Sequence, residues 1–163
     1  PYVQKNRGVW SFRGSHSRGS GDRMQDGSKK VLIVDDEPDV VTYLKIVLEG
    51  SGFSTIVADN ARVGLDLARS NQPDLICLDI MMPRESGLSL YCQLRTDPKL
   101  KEIPVLIISG VVQEEEYDFR SLIPDECVPP PEFYLEKPIV VEEFMATVNR
   151  LVHHHQTNSG GAN

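Results

Sequence analysis

The chain has 163 residues, a length that suits one compact domain with some tail, and it is 40% hydrophobic and 25% charged, as soluble globular domains are. Its formal net charge of -7 argues against direct nucleic-acid binding by this domain, because phosphate binding needs a basic surface that releases counterions. Cys77, Cys92 and Cys127 are odd in number and lack C-x-x-C spacing, which speaks against a disulfide framework or a zinc site and for a reducing, cytoplasmic setting.

The longest apolar runs, such as residues 31–34 and 105–108, fall far short of the ~20 residues that a membrane helix needs. No segment resembles a secretory signal. Residues 1–28 are a different material from the rest. They carry Lys5, Arg7, Arg13, Arg18 and Arg23 against Asp22 and Asp26, a net +3 that leaves -10 for the remainder. Rich in Gly, Ser and Arg and without a helical or strand period, they read as a disordered leader, a linker or an expression remnant. The folded domain is expected over residues 29–153, with a flexible tail over 154–163.

From Lys29 onward short apolar runs alternate with amphipathic segments, the βαβα pattern of a parallel sheet covered on both faces. The first strand is predicted at 31–34. Pro38 then sits in the first turn of a helix whose stripe is Val40, Leu44, Val47 and Leu48, with Gly50 and Gly52 after its end. A strand at 54–58 leads to a second helix with Ala61, Gly64, Leu65 and Ala68 on one side. The third strand, 75–78, precedes a helix with Ser86 as N-cap and Gly87, Leu90, Tyr91 and Leu94 as its stripe. The fourth strand is predicted at 105–108. A fourth helix over 111–123 is the weakest expectation, since Glu114, Glu115 and Glu116 stand together and the segment leads into Pro124 and then Pro129, Pro130 and Pro131; part of it reads as loop. The fifth strand, 133–135, is followed by a last helix over about 141–154, with Val141, Phe144, Met145, Val148 and Val152 on one stripe. Cys77, in a strand, and Cys92, on a helix, read as small buried hydrophobes. His153, His154 and His155 cannot share one helix face, so they read as a fraying or tag-like end rather than a metal site.

In an open parallel sheet, ligands collect beyond the carboxyl ends of the strands. Asp35, Asp36 and Glu37 follow the first strand, Asp79 the third, Ser109 the fourth, and Lys137 with Pro138 the fifth. Carboxylates held close together raise one another's pKa unless a cation neutralises them, and hard oxygen ligands favour Mg²⁺. Lys137 supplies a compact positive charge suited to a phosphoryl oxygen, and Ser109 a hydroxyl donor. With these groups stabilising a phosphoryl group in flight, a strand-end carboxylate can act as the accepting nucleophile and become an aspartyl phosphate.

These residues fall in four motifs: VLIVDDEP at 31–38, LDIMMPRESG at 78–87, ISG at 108–110 and YLEKP at 134–138. The set resembles the receiver domains of two-component response regulators, chemotaxis regulators included, over about residues 29–152. Its spacings are family-like, with 43 residues from Asp36 to Asp79 and 30 from Asp79 to Ser109. The resemblance implies a doubly wound, flavodoxin-like α/β fold with five parallel strands in the order 2-1-3-4-5. It further implies that Asp79 is the phosphoacceptor, receiving its phosphoryl group from a histidine kinase or phosphotransfer protein, and that Asp36, Asp79 and the main-chain carbonyl of Met81 bind Mg²⁺. Asp35 would stand behind them, in contact through water. Lys137 and Ser109 would assist, Ser109 and Tyr134 would form the switch pair, and the Lys137–Pro138 peptide would be cis. Phosphorylation would then alter the surface around the fourth helix, the fifth strand and the last helix. The domain would not be an enzyme in its own right, although it would assist its own phosphorylation and dephosphorylation.

Two departures from the family pattern stand out. Ser109 and Lys137 are 28 residues apart, longer than the family pattern, and Val128-Pro-Pro-Pro-Glu132 replaces its small turn before the fifth strand. Receivers use the adjoining face to dimerise or to dock outputs. A homodimer is therefore compatible with the resemblance, but its mode is not carried over, and the insertion points to a specialised partner surface. Three prolines in so short a connector read as a rigid turn rather than a polyproline ligand. The two positions that modulate hydrolysis in the family are Met81 and Val111, both apolar, which implies a persistent phosphoryl group. The alternative is a phosphorylation-independent pseudo-receiver that serves as an interaction module, although such domains typically lack one of the acidic or Lys positions present here. A haloacid-dehalogenase-like phosphatase is disfavoured because Met81 stands where that family has a second Asp. The output, the kinase and any larger parent protein are not legible.

Overall fold

The computed structural model describes residues 27–83, 86–110 and 128–158. Five strands, β1 (Lys30–Val34), β2 (Ser54–Ala58), β3 (Leu75–Leu78), β4 (Val105–Ser109) and β5 (Phe133–Glu136), form one sheet in the order β2-β1-β3-β4-β5. Every neighbouring pair is parallel. Helices α1 (Pro38–Gly50), α2 (Ala61–Asn71), α3 (Gly87–Thr96) and α4 (Val141–Asn158) accompany the strands. The helix expected over 111–123, and with it Val111 and Cys127, lies outside the described residues. So does most of the leader.

Strand alternation divides the interior into two cores, because successive side chains leave opposite faces of a sheet. Leu32, Val34, Ile76, Leu78, Val105 and Ile107 join Ala61, Leu65, Ala68, Leu90, Tyr91 and Leu94 on the face of α2 and α3. Val31, Ile33, Leu75, Cys77, Leu106 and Ile108 meet Leu44, Leu48, Phe144 and Val148 on the face of α1 and α4. Strands buried on both sides must be continuously apolar, and β1, β3 and β4 are, apart from Lys30 and Ser109 at strand ends. The edge strand β2 is only half-buried along most of its length.

Helix starts follow local chemistry. Pro38 opens α1, where a missing N–H costs nothing. The Asn60 side chain caps α2 by accepting from Val63 N. The Ser86 hydroxyl caps α3 by accepting from Leu88 N at 3.2 Å, as its sequence position predicts.

Several boundaries differ from expectation. Strands β1, β4 and β5 are each one residue longer than the apolar runs that announced them, because Lys30, Ser109 and Glu136 still pair in the ladder. α4 continues through Asn158, beyond the end expected near 154 and past the boundary drawn at 153. Leu151 and Val152, just before the histidines, are buried, so apolar packing holds the helix up to that point.

Sequence reading also missed a polar hub at the amino ends of β4 and β5. The Arg95 side chain, 2% exposed, donates to Tyr91 Oη at 3.1 Å, to the carbonyls of Lys101 and Ile103 at 2.9 and 2.7 Å, and to Glu132 Oε2 at 2.6 Å. Glu132 also accepts from Val105 N at 3.0 Å, and Tyr91 Oη donates to the Pro129 carbonyl at 2.6 Å. The proline connector is therefore tied to α3 at two points.

Candidate functional site

Parallel register brings the strand ends to one rim. Val34 lies beside Leu78, Leu78 beside Ile107, and Ser109 beside Glu136. Residues one step further continue the ladder, with Asp79 N donating to the Val34 carbonyl and Lys137 N to the Ser109 carbonyl. Asp35, Asp79, Ser109 and Lys137 thus stand on four adjacent strands because each follows an apolar run that ends at the same level.

Asp35, Asp36 and Asp79 each present a carboxylate oxygen within 4.8 Å of the others. Asp35 and Asp79 are buried and Asp36 half-buried. Lys137 balances part of this charge: its ammonium lies 2.7 Å from Asp79 Oδ2, 3.0 Å from Asp35 Oδ2 and 2.6 Å from Glu37 Oε1. Burial by itself would lower the Lys137 pKa, but the hydrogen bonds to Asp79, Glu37 and Asp35 outweigh it and hold the amine firmly protonated. Burial pushes the Asp35 carboxyl up, opposed by the Glu37 N–H and by Lys137.

The remaining carboxylate oxygens are aimed by the backbone. Glu37 N donates to Asp35 Oδ1 and Met81 N to Asp79 Oδ1, both at 2.8 Å. These turns orient the two carboxylates while the Met81 side chain points outward, 55% exposed. Ser109 is fully buried, and its hydroxyl has no hydrogen-bond partner among the described residues. An unsatisfied buried hydroxyl costs about 1–3 kcal/mol. Tyr134 is half-buried and packs against the core on the α2 and α3 face. The Lys137–Pro138 peptide is cis, the isomer that the resemblance implies.

The structure therefore brings Asp35, Asp36, Asp79, Ser109 and Lys137 to one rim, with Met81 and Tyr134 on the adjoining backbone. Two contributors had not been given a role. Glu37 is a third carboxylate on Lys137, and its place two residues after Asp35 at a strand end was the available signal. Gly87 lies so close to the acceptor loop that a Cβ there would overlap the Asp79 carbonyl oxygen and lie 2.6 Å from Ile80 Cα. A glycine opening a helix right after a strand-end loop is a weak sequence signal for such an approach.

The three carboxylates suit a hard divalent cation, which prefers oxygen ligands and negative charge. A doubly wound sheet with an acidic pocket, a lysine and a buried hydroxyl at its carboxyl rim defines the class. The family model described as "Response regulator receiver domain" matches residues 31–149, and the chain belongs to that family. It is 35% identical over 120 residues to the polar-differentiation response regulator DivK of Brucella anthropi, covering 74% of this chain and 93% of that protein. It is 36% identical over 125 residues to the DNA-binding dual master transcriptional regulator RpaA of Synechocystis sp., covering 76% of this chain and 48% of that one. The chain thus spans about half the length of RpaA. Among solved structures, the receiver domain of the Francisella response regulator 1452 matches with a TM-score of 0.65 and 31% identity, over 78% of this chain and 98% of that one. The fold and the two-component signalling class expected from the motifs are both shown. Among the described residues no helix is long and apolar enough to cross a membrane.

Proposed function

We propose that Asp79 accepts a phosphoryl group from a histidine kinase or phosphotransfer protein and that the domain is a phosphorylation switch. The observation that carries this reading is the convergence of three carboxylates within 4.8 Å, the Lys137 ammonium 2.7 Å from Asp79, and a buried Ser109 hydroxyl without a partner among the described residues.

In the transfer, an Asp79 carboxylate oxygen attacks phosphorus. The O–P bond forms as the P–N bond to the donor histidine breaks, and the imidazole leaves with the electron pair. Lys137 holds one oxygen of the transferred group, and the Ser109 hydroxyl turns to donate to another. Asp36, Asp79 and the Met81 carbonyl would hold Mg²⁺, with Asp35 behind them through water; the ion's part is to neutralise charge on the phosphoryl oxygens.

Once Ser109 turns, Tyr134 on the neighbouring strand repacks, and the surface around the helix expected over 111–123, β5 and α4 changes its affinity for an output. The domain acts on itself and turns over no separate substrate. We place the folded domain from residue 29 to the end of α4 at Asn158, in the cytoplasm, with 1–28 as leader or linker.

Beryllofluoride, a phosphoryl mimic, tests the reading. Added with Mg²⁺, it should shift the amide resonances near Asp79, Ser109 and Tyr134, and the shifts should vanish without Mg²⁺ or in Asp79→Asn. An unresponsive wild-type protein would favour the phosphorylation-independent interaction module.

A further inference from the structure

The Lys137 ammonium donates hydrogen bonds to Glu37 and Asp79 and lies in ion-pair range of Asp35. Glu37 Oε1 at 2.6 Å, Asp79 Oδ2 at 2.7 Å and Asp35 Oδ2 at 3.0 Å surround it. Phosphorylation turns the Asp79 carboxylate into an acyl phosphate and passes its share of Lys137 to the phosphoryl oxygens, while Glu37 and Asp35 still compete with those oxygens for the ammonium.

These two are not equally placed to leave. Asp35 is 2% exposed, and releasing it would strand a charge away from water. The Glu37 side chain is 58% exposed and regains solvent when it lets go. Among the described residues nothing else binds it in place: Glu37 is the N-cap residue of α1, yet its side chain makes no capping bond. Its carboxylate also lies outside the acidic trio that could hold a cation.

We propose that Glu37 is a positioning residue that competes with the phosphoryl group for Lys137. It holds the ammonium at the carboxyl rim before phosphorylation and yields it afterwards, setting how readily the domain enters its phosphorylated state. This inference rests on the reading of Asp79 as the phosphoacceptor.

The test is beryllofluoride affinity at saturating Mg²⁺ in the whole chain, for wild type, Glu37→Gln, Lys137→Ala and the double variant, with Mg²⁺ affinity titrated separately. Glu37→Gln keeps the backbone of α1 and removes the competing charge. It should bind the analogue about two- to fivefold more tightly, the range expected when a part-exposed ion pair is lifted. The gain should disappear in the Lys137→Ala background, because there is then no ammonium to compete for.

A gain that persists without Lys137 would mean general charge repulsion and would overturn the competitor role, as would unchanged or weaker binding by Glu37→Gln. If wild type binds no beryllofluoride, the phosphoacceptor reading falls and takes this inference with it. If wild type binds and only the Glu37 comparison fails, this inference falls alone.

Discussion

Arg95 Nη2 and Glu132 Oε2 meet at 2.6 Å across the amino ends of β4 and β5, joining residues 37 positions apart. The guanidinium is buried and the carboxylate partly exposed. Every hydrogen bond of this hub lies at the opposite end of the sheet from Lys137, so it anchors the entry to the strand whose exit carries the lysine. The same pair ties the proline connector, the segment in which this chain departs from the family pattern, to the frame of the domain.

Glu132→Ala should therefore destabilise the protein by about 2 kcal/mol, since it leaves a buried guanidinium and the Val105 N–H without their acceptor. Urea denaturation measures this as a lowered midpoint with an unchanged slope. A variant within about 0.5 kcal/mol of wild type would show that the hub adds little to the fold.

Gly87 and Gly64 make a matched comparison. A methyl group at Gly87 meets the backbone of Asp79 and Ile80, which cannot rotate away, whereas at Gly64 it meets only side-chain atoms of Leu90 and Val34 at 3.1 Å. Gly87→Ala should cost about 1–3 kcal/mol and weaken beryllofluoride binding by displacing Asp79. Gly64→Ala should be near neutral in urea, because strain and improved helix propensity offset each other. Equal effects from the two would contradict the close approach.

Burial pushes the Cys77 thiol from its ordinary value of 9.0 up to about 12. The fold favours the protonated form, so the contribution of this group to stability is complete below about pH 9 and is lost as the pH rises through about 12. In a variant with Cys92 and Cys127 replaced by Ser, Cys77 should resist a disulfide reagent at pH 8 and react fully in denaturant. Rapid labelling of the folded protein would show that β3 opens far more readily than its burial implies.

Met81 sits two residues beyond Asp79 with an exposed, apolar side chain that cannot orient an attacking water. Given an aspartyl phosphate at Asp79, loss of the phosphoryl group should be slow, and Met81→Asn should speed it several-fold. Dephosphorylation followed by intrinsic fluorescence or acid-stable label would report the rate, and an unchanged rate would remove Met81 from the account.

Much of this protein was legible from the sequence by itself. Apolar runs of four or five residues separated by amphipathic stripes can bury both faces of a sheet in only a few ways, so five parallel strands and their flanking helices followed from periodicity. Because all the strands run one way, whatever follows each run must gather at a single rim, and Asp35, Asp36, Asp79, Ser109 and Lys137 could be grouped before any coordinates. Pairings among side chains could not be read in that way. Contacts such as Glu37 with Lys137, 100 residues apart, and Arg95 with Glu132, 37 apart, have no periodic signature. They depend on where two backbones lie to within an ångström, and so does the demand for a glycine against Asp79. Only the tertiary structure decided which charge neutralises which, and which hydroxyl was left without a partner.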